Sequence, residues 1–262
     1  CRIIQTIPIK YKIDNIDVYD YPIGMQGKRI EARFLYILCP NIYIERLENI
    51  FENLNIKISE FVPGSYAESE ILLTEKQKRA GTVLINFGSS STSLIVYENN
   101  SPVLYSVLDI GSDQITNDLA LGLQLTLEEA ESVKLGLGEV SFSKRKYQDI
   151  VEARLEYICT LINNELEKIK RKELLPGGIV LTGDGSKMLE IDVLFRKYMN
   201  LPVKFANKEI REFSNGQIID SSFARVYGLT FFDQKLKKEY SVNNFFKNIK
   251  KNIHILFKKM IP

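Results

Sequence analysis

A series of short, apolar, β-branched segments separated by turn residues constrains the fold of this chain more than any other feature. Thr82–Asn86, Ser93–Tyr97 and Val103–Leu108 each have the length of one strand. The pair Asn99-Asn100 between the last two segments is typical of a tight hairpin turn. A further buried-type strand, Gly178–Thr182, comes after a long stretch of helical periodicity. Strands that alternate with helices in this way predict an α/β fold, with helices covering a sheet.

The helical segments are recognised by apolar residues that recur every three or four positions. They are predicted at Ser65–Lys78, Ser112–Leu123, Leu127–Leu135, Gln148–Lys172 and Ser221–Phe232. The strand Gly178–Thr182 is expected to open into another helix through Gly183–Ser186, and Val203–Ala206 is a last short strand.

The first 61 residues have a different organisation. Arg2–Ile13 and Glu31–Cys39 read as strands, and Asn41–Leu54 reads as a helix that Asn41 caps. Ile56–Phe61 is predicted as a further short strand. This block is therefore expected to form a small α+β subdomain.

Composition excludes several classes of protein. The 262 residues are 45% hydrophobic and 26% charged, which is ordinary for a folded domain, and no apolar run reaches the roughly 18 residues of a membrane span. Cys1, Cys39 and Cys159 lie far apart, which argues against a disulfide framework and fits a cytosolic location. A single histidine, His254, argues against Ser-His-Asp catalysis and histidine-rich metal sites. We assign no catalytic residue and no metal ligand.

The segment from Ser241 to Pro262 is a basic amphipathic tail. It carries five lysines and no acid, so the net charge of +2 leaves the rest of the chain at −3 (2 minus 5). On a helical wheel most of its bulky apolar residues fall within about 120° of arc, whereas Ile255 lies on the polar side. The apolar residues are Phe245, Phe246, Ile249, Ile253, Leu256, Phe257 and Met260, and the lysines are Lys247, Lys250, Lys251, Lys258 and Lys259.

Such a helix suits the surface of an anionic membrane, where each lysine contributes about 1 kcal/mol. The alternative is a terminal helix that packs on the body through the same stripe. Nucleic acid is not an expected partner, because the body is mildly acidic and has no groove-reading module.

Several motifs, taken in order, resemble the bacterial cell-division protein FtsA over nearly the whole chain. The most specific is PIGMQGKRIEA at residues 22–32, which is similar to that family's subdomain 1C. The other matching segments are Pro8–Asn15, Gly111–Ala120, Glu129–Lys134, Val180–Gly183 and Val226–Leu229. The resemblance implies an actin-like (ribonuclease-H-like) α/β lobe with an inserted small α+β subdomain of the FtsA 1C type.

The resemblance also implies a division of the chain. Residues 1–61 would be subdomain 1C, 62–80 the end of subdomain 1A, 81–232 the actin-like lobe, 233–240 a short linker and 241–262 the membrane-targeting helix. The N-terminal half of subdomain 1A, with the first phosphate loop, is expected to be missing from this sequence. Asp109–Ser112 fits the pattern of that loop, but its position after a hairpin identifies it as a strand-to-helix turn.

Members of the family bind FtsZ, tether it to the membrane and can polymerise. The expected partners are therefore FtsZ, an anionic membrane and further copies of the chain, and the expected location is the cytoplasmic face of the inner membrane at the division site. Two alternatives remain open. One is a working actin-like ATPase of another membrane assembly, such as the PilM-like pilus proteins, and the other is a non-functional remnant in a reduced genome.

The resemblance points to an ATP site whose second phosphate loop has changed. The superfamily pattern Asp-x-Gly-Gly-Gly-Thr is here Asn-Phe-Gly-Ser-Ser-Ser, so that an amide replaces the carboxylate that organises Mg²⁺ and two glycines have become serines. The candidate residues of this loop are Asn86, Gly88, Ser89, Ser90 and Ser91.

Two more departures point the same way. Val62 stands where related proteins carry the glutamate of a Glu-Pro pair, and Asp184 interrupts the adenosine motif formed with Gly183 and Ser186. At ~4 Å and an effective dielectric of ~20, a carboxylate beside a phosphate costs about 4 kcal/mol. Glu131 and Lys134 match ribose and adenine contacts, or are an ordinary helix-surface pair. We therefore expect ATP and Mg²⁺ to bind weakly or not at all, with little hydrolysis.

Overall fold

A computed structural model describes residues 1–19, 22–137, 143–206 and 223–230. Its strands are β1 (Arg2–Ile13), β2 (Ile16–Val18), β3 (Ile30–Cys39), β4 (Thr82–Phe87), β5 (Thr92–Glu98), β6 (Ser101–Leu108), β7 (Ile179–Thr182) and β8 (Val203–Phe205). Its helices are α1 (Asn41–Asn53), α2 (Gly64–Leu72), α3 (Glu75–Ala80), α4 (Asp113–Leu123), α5 (Leu127–Lys134), α6 (Lys144–Lys168), α7 (Ile191–Met199) and α8 (residues 224–230).

A five-stranded mixed sheet forms the centre of the larger lobe, in the order β6-β5-β4-β7-β8. The hairpin strands pair antiparallel, whereas β4–β7 and β7–β8 are parallel. Every residue of β7 is buried, as are all but one residue each of β4 and β5. Strands buried on both faces read as continuous apolar runs, and for this reason the sequence identifies them well.

Two apolar layers cover the two faces of this sheet. On one face Val83, Ile85 and Phe87 of β4 pack with buried residues of α4, α6 and α7. On the other face Leu84 and Val180 pack with α2, with α8 and with part of the N-terminal sheet. The α/β prediction of a sheet between helices is thereby confirmed.

The N-terminal block contains a second, three-stranded antiparallel sheet in the order β2-β1-β3. The β1–β3 register shifts twice, between Ile3 and Gln5 and between Pro8 and Lys10. Ile7 and Ile37 join the core on the α2 side of the large sheet, which anchors the block to the lobe.

Both predicted turns of the larger lobe are confirmed. Asn99 and Asn100 have φ angles of 51° and 65°, and the pair Glu98–Ser101 closes the hairpin around them. Asp109–Ser112 lies between the end of β6 and the start of α4, as expected for a strand-to-helix turn.

Three local predictions were wrong. Ile56–Phe61 forms no strand in the structure, since no neighbouring strand offers it a ladder of hydrogen bonds. The predicted helix Ser65–Lys78 is two helices, because Thr74 and Gln77 form a capping box that starts α3 anew. Pro40 takes the N-cap position of α1, so that Asn41 is the first residue of the helix and not its cap.

The other boundaries differ by smaller amounts. Helix α6 begins at Lys144, four residues before the prediction, and ends at Lys168. Beyond Gly183 a short 3₁₀ turn, Asp184–Lys187, precedes α7. Within the described ranges no helix is both long and apolar enough to cross a bilayer. The predicted linker 233–240 and tail 241–262 lie outside the described residues.

Candidate functional site

The predicted phosphate loop connects β4 to β5 and is held by hydrogen bonds within the lobe. The backbone N–H of Gly88 donates to the Ser91 carbonyl at 3.0 Å. The N–H groups of Ser112 and Asp113, at the start of α4, donate to the Gly88 and Ser89 carbonyls at 2.9 Å each. Helix N-termini are common binding sites for anions, but these two donors of α4 are already used by the loop itself.

The serines of the loop differ in exposure. Ser89 and Ser90 are exposed, and Ser91 is half-buried. Hydroxyls in such a loop can donate hydrogen bonds to a phosphate oxygen, which keeps part of the anion-binding chemistry of a glycine loop.

Asn86, the residue before this turn, directs its side-chain nitrogen to helix α2. Its side-chain amide donates to both carboxylate oxygens of Glu68 in α2, at 2.9 Å each. The Nε of Arg225 in α8 donates to the same carboxylate at 3.0 Å. Glu68 is only 3% exposed, so these contacts place a buried carboxylate beside the position where the superfamily carries its aspartate.

The predicted adenosine loop packs directly against the phosphate loop. Gly183 has a φ of +90°, and a Cβ there would lie 2.5 Å from the Phe87 carbonyl oxygen and 2.6 Å from Oδ1 of Asn86. Only glycine combines that backbone conformation with such a close approach. Ser186 turns back to donate its hydroxyl to the Gly183 carbonyl at 2.6 Å.

Asp184 lies on the surface of this loop. Its side chain is 72% exposed and pairs with Nζ of Lys187 at 2.9 Å. Solvent and the lysine both screen its charge, so the repulsion of a phosphate by Asp184 is well below the value for an unpaired carboxylate.

Glu131 and Lys134 form an ion pair one layer behind the phosphate loop. Nζ of Lys134 lies 2.6 Å from Oε2 of Glu131 and 2.9 Å from Oγ1 of Thr116, which itself donates to Glu131. Lys134 is 2% exposed, so it is no ordinary surface residue. Burial raises the pKa of Glu131, but the hydrogen bonds from Lys134 and Thr116 outweigh it and bring that pKa below its ordinary value of 4.5.

These contacts decide which ligands the described residues fit. At a nucleotide site Mg²⁺ keeps several waters and takes one or two carboxylates besides the phosphates. Glu68, the carboxylate beside Asn86, already accepts hydrogen bonds from Asn86 and Arg225. No group of three or more His, Cys, Asp or Glu side chains suited to a metal occurs in the part of the chain that the structure describes. The hydroxyl groups of the serine loop suit an anion, and the buried carboxylate beside Asn86 is already paired.

Sequence reasoning missed Glu68, Arg225 and Thr116. The available signal was a glutamate inside Ser65–Leu72, a stretch of α2 in which nearly every residue is buried. A buried carboxylate requires a partner, and 157 positions separate Glu68 from Arg225. The predicted membrane-facing residues of 241–262 lie outside the described residues.

Two family models match the chain. The model described as "Cell division protein FtsA" matches residues 83–228, more than half of the chain. The model described as "SHS2 domain inserted in FTSA" matches residues 1–38.

Curated FtsA proteins are similar as well. The protein of Pseudomonas aeruginosa is 27% identical over 225 residues, which cover 78% of this chain and 54% of that protein. The protein of Buchnera aphidicola subsp. Baizongia pistaciae is 24% identical over 293 residues, which cover 99% of this chain and 68% of that protein. The chain thus spans about half to two thirds of the length of these relatives.

Solved structures support the fold. A chain of the PilM-PilN type IV pilus biogenesis complex has a TM-score of 0.63 and 18% identity, over 87% of this chain and 65% of that one. MreB5 of Spiroplasma citri bound to AMPPNP has a TM-score of 0.61 and 15% identity, over 78% of this chain and 68% of that one. At these identities the likeness concerns the fold alone. With the family models it shows that the chain has an actin-like fold and belongs to the FtsA family of cell division proteins.

Proposed function

We propose that the chain is a cell-division scaffold that tethers FtsZ filaments to the inner membrane at the division site, with a degenerate ATP site. Membership of the FtsA family supports the division role. Tail residues 241–262 supply the membrane contact, and any bound nucleotide acts as a conformational ligand and not as a substrate. Copies of the chain associate with one another along the filaments.

The environment of Asn86 carries the proposal of a degenerate site. The amide at this position donates to both oxygens of Glu68, and Arg225 neutralises the same carboxylate. These contacts fix the amide nitrogen toward Glu68, and the neutral amide oxygen that remains holds a hydrated Mg²⁺ less firmly than the carboxylate of the superfamily pattern.

The membrane part of the proposal rests on the sequence of the tail. The pattern of seven bulky apolar residues with five lysines and no acid predicts an amphipathic helix of the kind that lies in the plane of an anionic membrane. Its binding should combine burial of the apolar face with attraction to anionic headgroups, and should therefore weaken in salt.

Co-sedimentation with anionic vesicles tests this part. We expect the full chain to pellet with the vesicles and a chain without residues 241–262 to stay in solution. A matched pair sharpens the test: Ile253→Ser lies on the apolar face and should weaken binding, whereas Ile255→Ser lies on the polar side and should not. If both the full and the shortened chain stay in solution, the tail is a docking helix and the membrane part of the proposal fails.

Recruitment of purified FtsZ to the same vesicles tests the partner. We expect FtsZ to pellet with vesicles that carry the chain, and not with bare vesicles or with vesicles mixed with the shortened chain. Leu137–Lys146 is a short stretch where the resemblance implies a longer FtsZ-binding subdomain, and its residues 138–142 lie outside the described residues. Vesicle binding without FtsZ recruitment would separate the two halves of the proposal.

Hydrolysis of Mg·ATP distinguishes the scaffold from an ATPase of a pilus-type assembly. Structural likeness to a chain of the PilM-PilN complex shows the fold and does not favour that function. We expect phosphate release by the full chain to stay at the level of a buffer control. Sustained turnover would favour the ATPase.

A further inference from the structure

The buried carboxylate of Glu68 joins three elements of the larger lobe. Glu68 is contributed by α2, Asn86 by the end of β4 and Arg225 by α8. Asn86 gives two hydrogen bonds of 2.9 Å to Glu68, and Arg225 gives one of 3.0 Å. Both carboxylate oxygens of Glu68 therefore accept a hydrogen bond from the chain itself.

The packing of α8 on α2 makes this arrangement rigid. Gly228 lies so close to α2 that a Cβ at this position would be 2.2 Å from the Ala67 carbonyl oxygen. Ala67 and Ala224 are also buried, so small residues allow the two helices to approach closely. This contact holds Arg225 over Glu68.

The charges are distributed unevenly around this contact. Glu68 is 3% exposed, whereas the Arg225 side chain is half-exposed. A carboxylate buried to this degree is unfavourable without a compensating cation, and Arg225 is the cation that contacts Glu68.

We propose that Glu68, Asn86 and Arg225 form an internal clasp that holds α2, β4 and α8 together without a nucleotide or a metal. The arginine provides the cation, and the amide nitrogen at position 86 donates to the carboxylate where an aspartate would repel Glu68. The inference deepens the proposed degenerate ATP site and rests on it.

Thermal unfolding of the 262-residue chain tests the clasp. Asn86→Asp restores the superfamily residue but places a second carboxylate against Glu68. We expect its Tm at pH 7.5 to fall by about 5–10 °C. Asn100→Asp makes the same chemical change on the exposed hairpin turn and should shift the Tm by less than about 2 °C.

The reciprocal swap Glu68→Gln/Asn86→Asp gives a result that general destabilisation does not predict. One amide again faces one carboxylate, so we expect the double variant to regain at least half of the Tm lost in Asn86→Asp. Should Asn86→Asp fail to fold, a folded double variant would still demonstrate the coupling. Arg225→Gln should lower the Tm, and Arg225→Lys should restore most of it.

Two results would overturn the clasp: an Asn86→Asp chain as stable as the unaltered one, or a double variant no better than the single. Addition of Mg·ATP separates this outcome from failure of the proposed function. We expect no change in the Tm of the unaltered chain, and a rise in the double variant, whose loop carries a carboxylate again. A rise in the unaltered chain would contradict the degenerate site whatever the swap shows.

Discussion

The larger lobe and the N-terminal block use the same kinds of apolar segment and bury them very differently. In β4 and β5 nearly every side chain is buried, on both faces of the sheet. In β1 and β3 the buried residues are Ile7, Ile13 and Ile37, and in α1 only Ile44 is buried. Apolar alternation alone does not distinguish the two situations, because burial depends on what covers each face.

The difference is clearest on the outer face of the small sheet. Here β3 places alternate large side chains in solvent, and Leu38 lies opposite Ile3 of β1. The exposed apolar residues of this face are Ile3, Phe34, Tyr36 and Leu38. The larger lobe should therefore contribute most of the free energy of unfolding. Substitutions on the exposed outer face of the small sheet should change that free energy little.

The largest expected effect is in the core of the lobe. Phe195 of α7 is fully buried and packs edge to face on Phe87, with ring centroids 5.8 Å apart. We expect Phe195→Ala to lower the free energy of unfolding by about 3–5 kcal/mol, through lost burial and the cavity left behind. Urea denaturation measures this loss, and a change below about 1 kcal/mol would contradict the burial of α7.

Thiol reactivity compares the two regions without a mutation. Burial raises the pKa of Cys159, in α6, to about 12, from an ordinary value of 9.0. At pH 8 this leaves about a thousandfold less thiolate for reaction. A thiol reagent should thus label the exposed Cys1 rapidly and Cys159 only after denaturation. Equal labelling in the native chain would show that the lobe opens readily.

The ion pair of the lobe, whose lysine is buried, should contribute more to the free energy of unfolding than an exposed pair of the N-terminal block. Lys134→Met removes the cation that holds Glu131, with an expected loss of about 1–2 kcal/mol at neutral pH, discounted because Glu131 is partly exposed. Glu48→Gln removes the exposed partner of Arg2 and should leave the Tm unchanged.

The same pair predicts a dependence on pH. The folded pKa of Glu131 lies below 4.5, so the pair stabilises the fold above that pH and loses this contribution as the pH falls through the lowered pKa. Tm measured from pH 7 to pH 3 should therefore decline less in Lys134→Met than in the unaltered chain. Parallel curves would assign no pH dependence to the pair.

The smallest effect is expected in α1. Leu47 belongs to its apolar stripe but is 43% exposed. Leu47→Ala should change the free energy of unfolding by less than about 0.5 kcal/mol. A loss of about 2 kcal/mol or more in urea denaturation would mean that another surface covers this stripe in solution.

Prediction from the sequence succeeded where a local pattern was sufficient. The hairpin at Asn99-Asn100, the buried strands and the turn at Asp109–Ser112 depend on propensities and spacing within a few residues. The strand predicted at Ile56–Phe61 failed because a strand requires a neighbour, and none is supplied there. The break between α2 and α3 was missed because a capping box competes with the continuing helical period.

In the candidate site, too, residues within local motifs were predicted and residues that meet through tertiary packing were not. Resemblance to the family located Asn86 and Gly183, and the structure brings both loops together. Their roles toward a nucleotide remain predictions. Glu68 and Arg225 could not be found in this way, since neither belongs to a motif and they meet only after α2 and α8 pack.

The sequence alone determined the fold class, the family resemblance and the chemical change in the phosphate loop, because these depend on residue types and their order. Only the tertiary structure decided which apolar faces are covered and where the amide of Asn86 points. It also decided that a buried glutamate and a distant arginine would satisfy each other. The physical reason is that burial and electrostatic pairing depend on distances in space, and residues far apart in the chain set those distances.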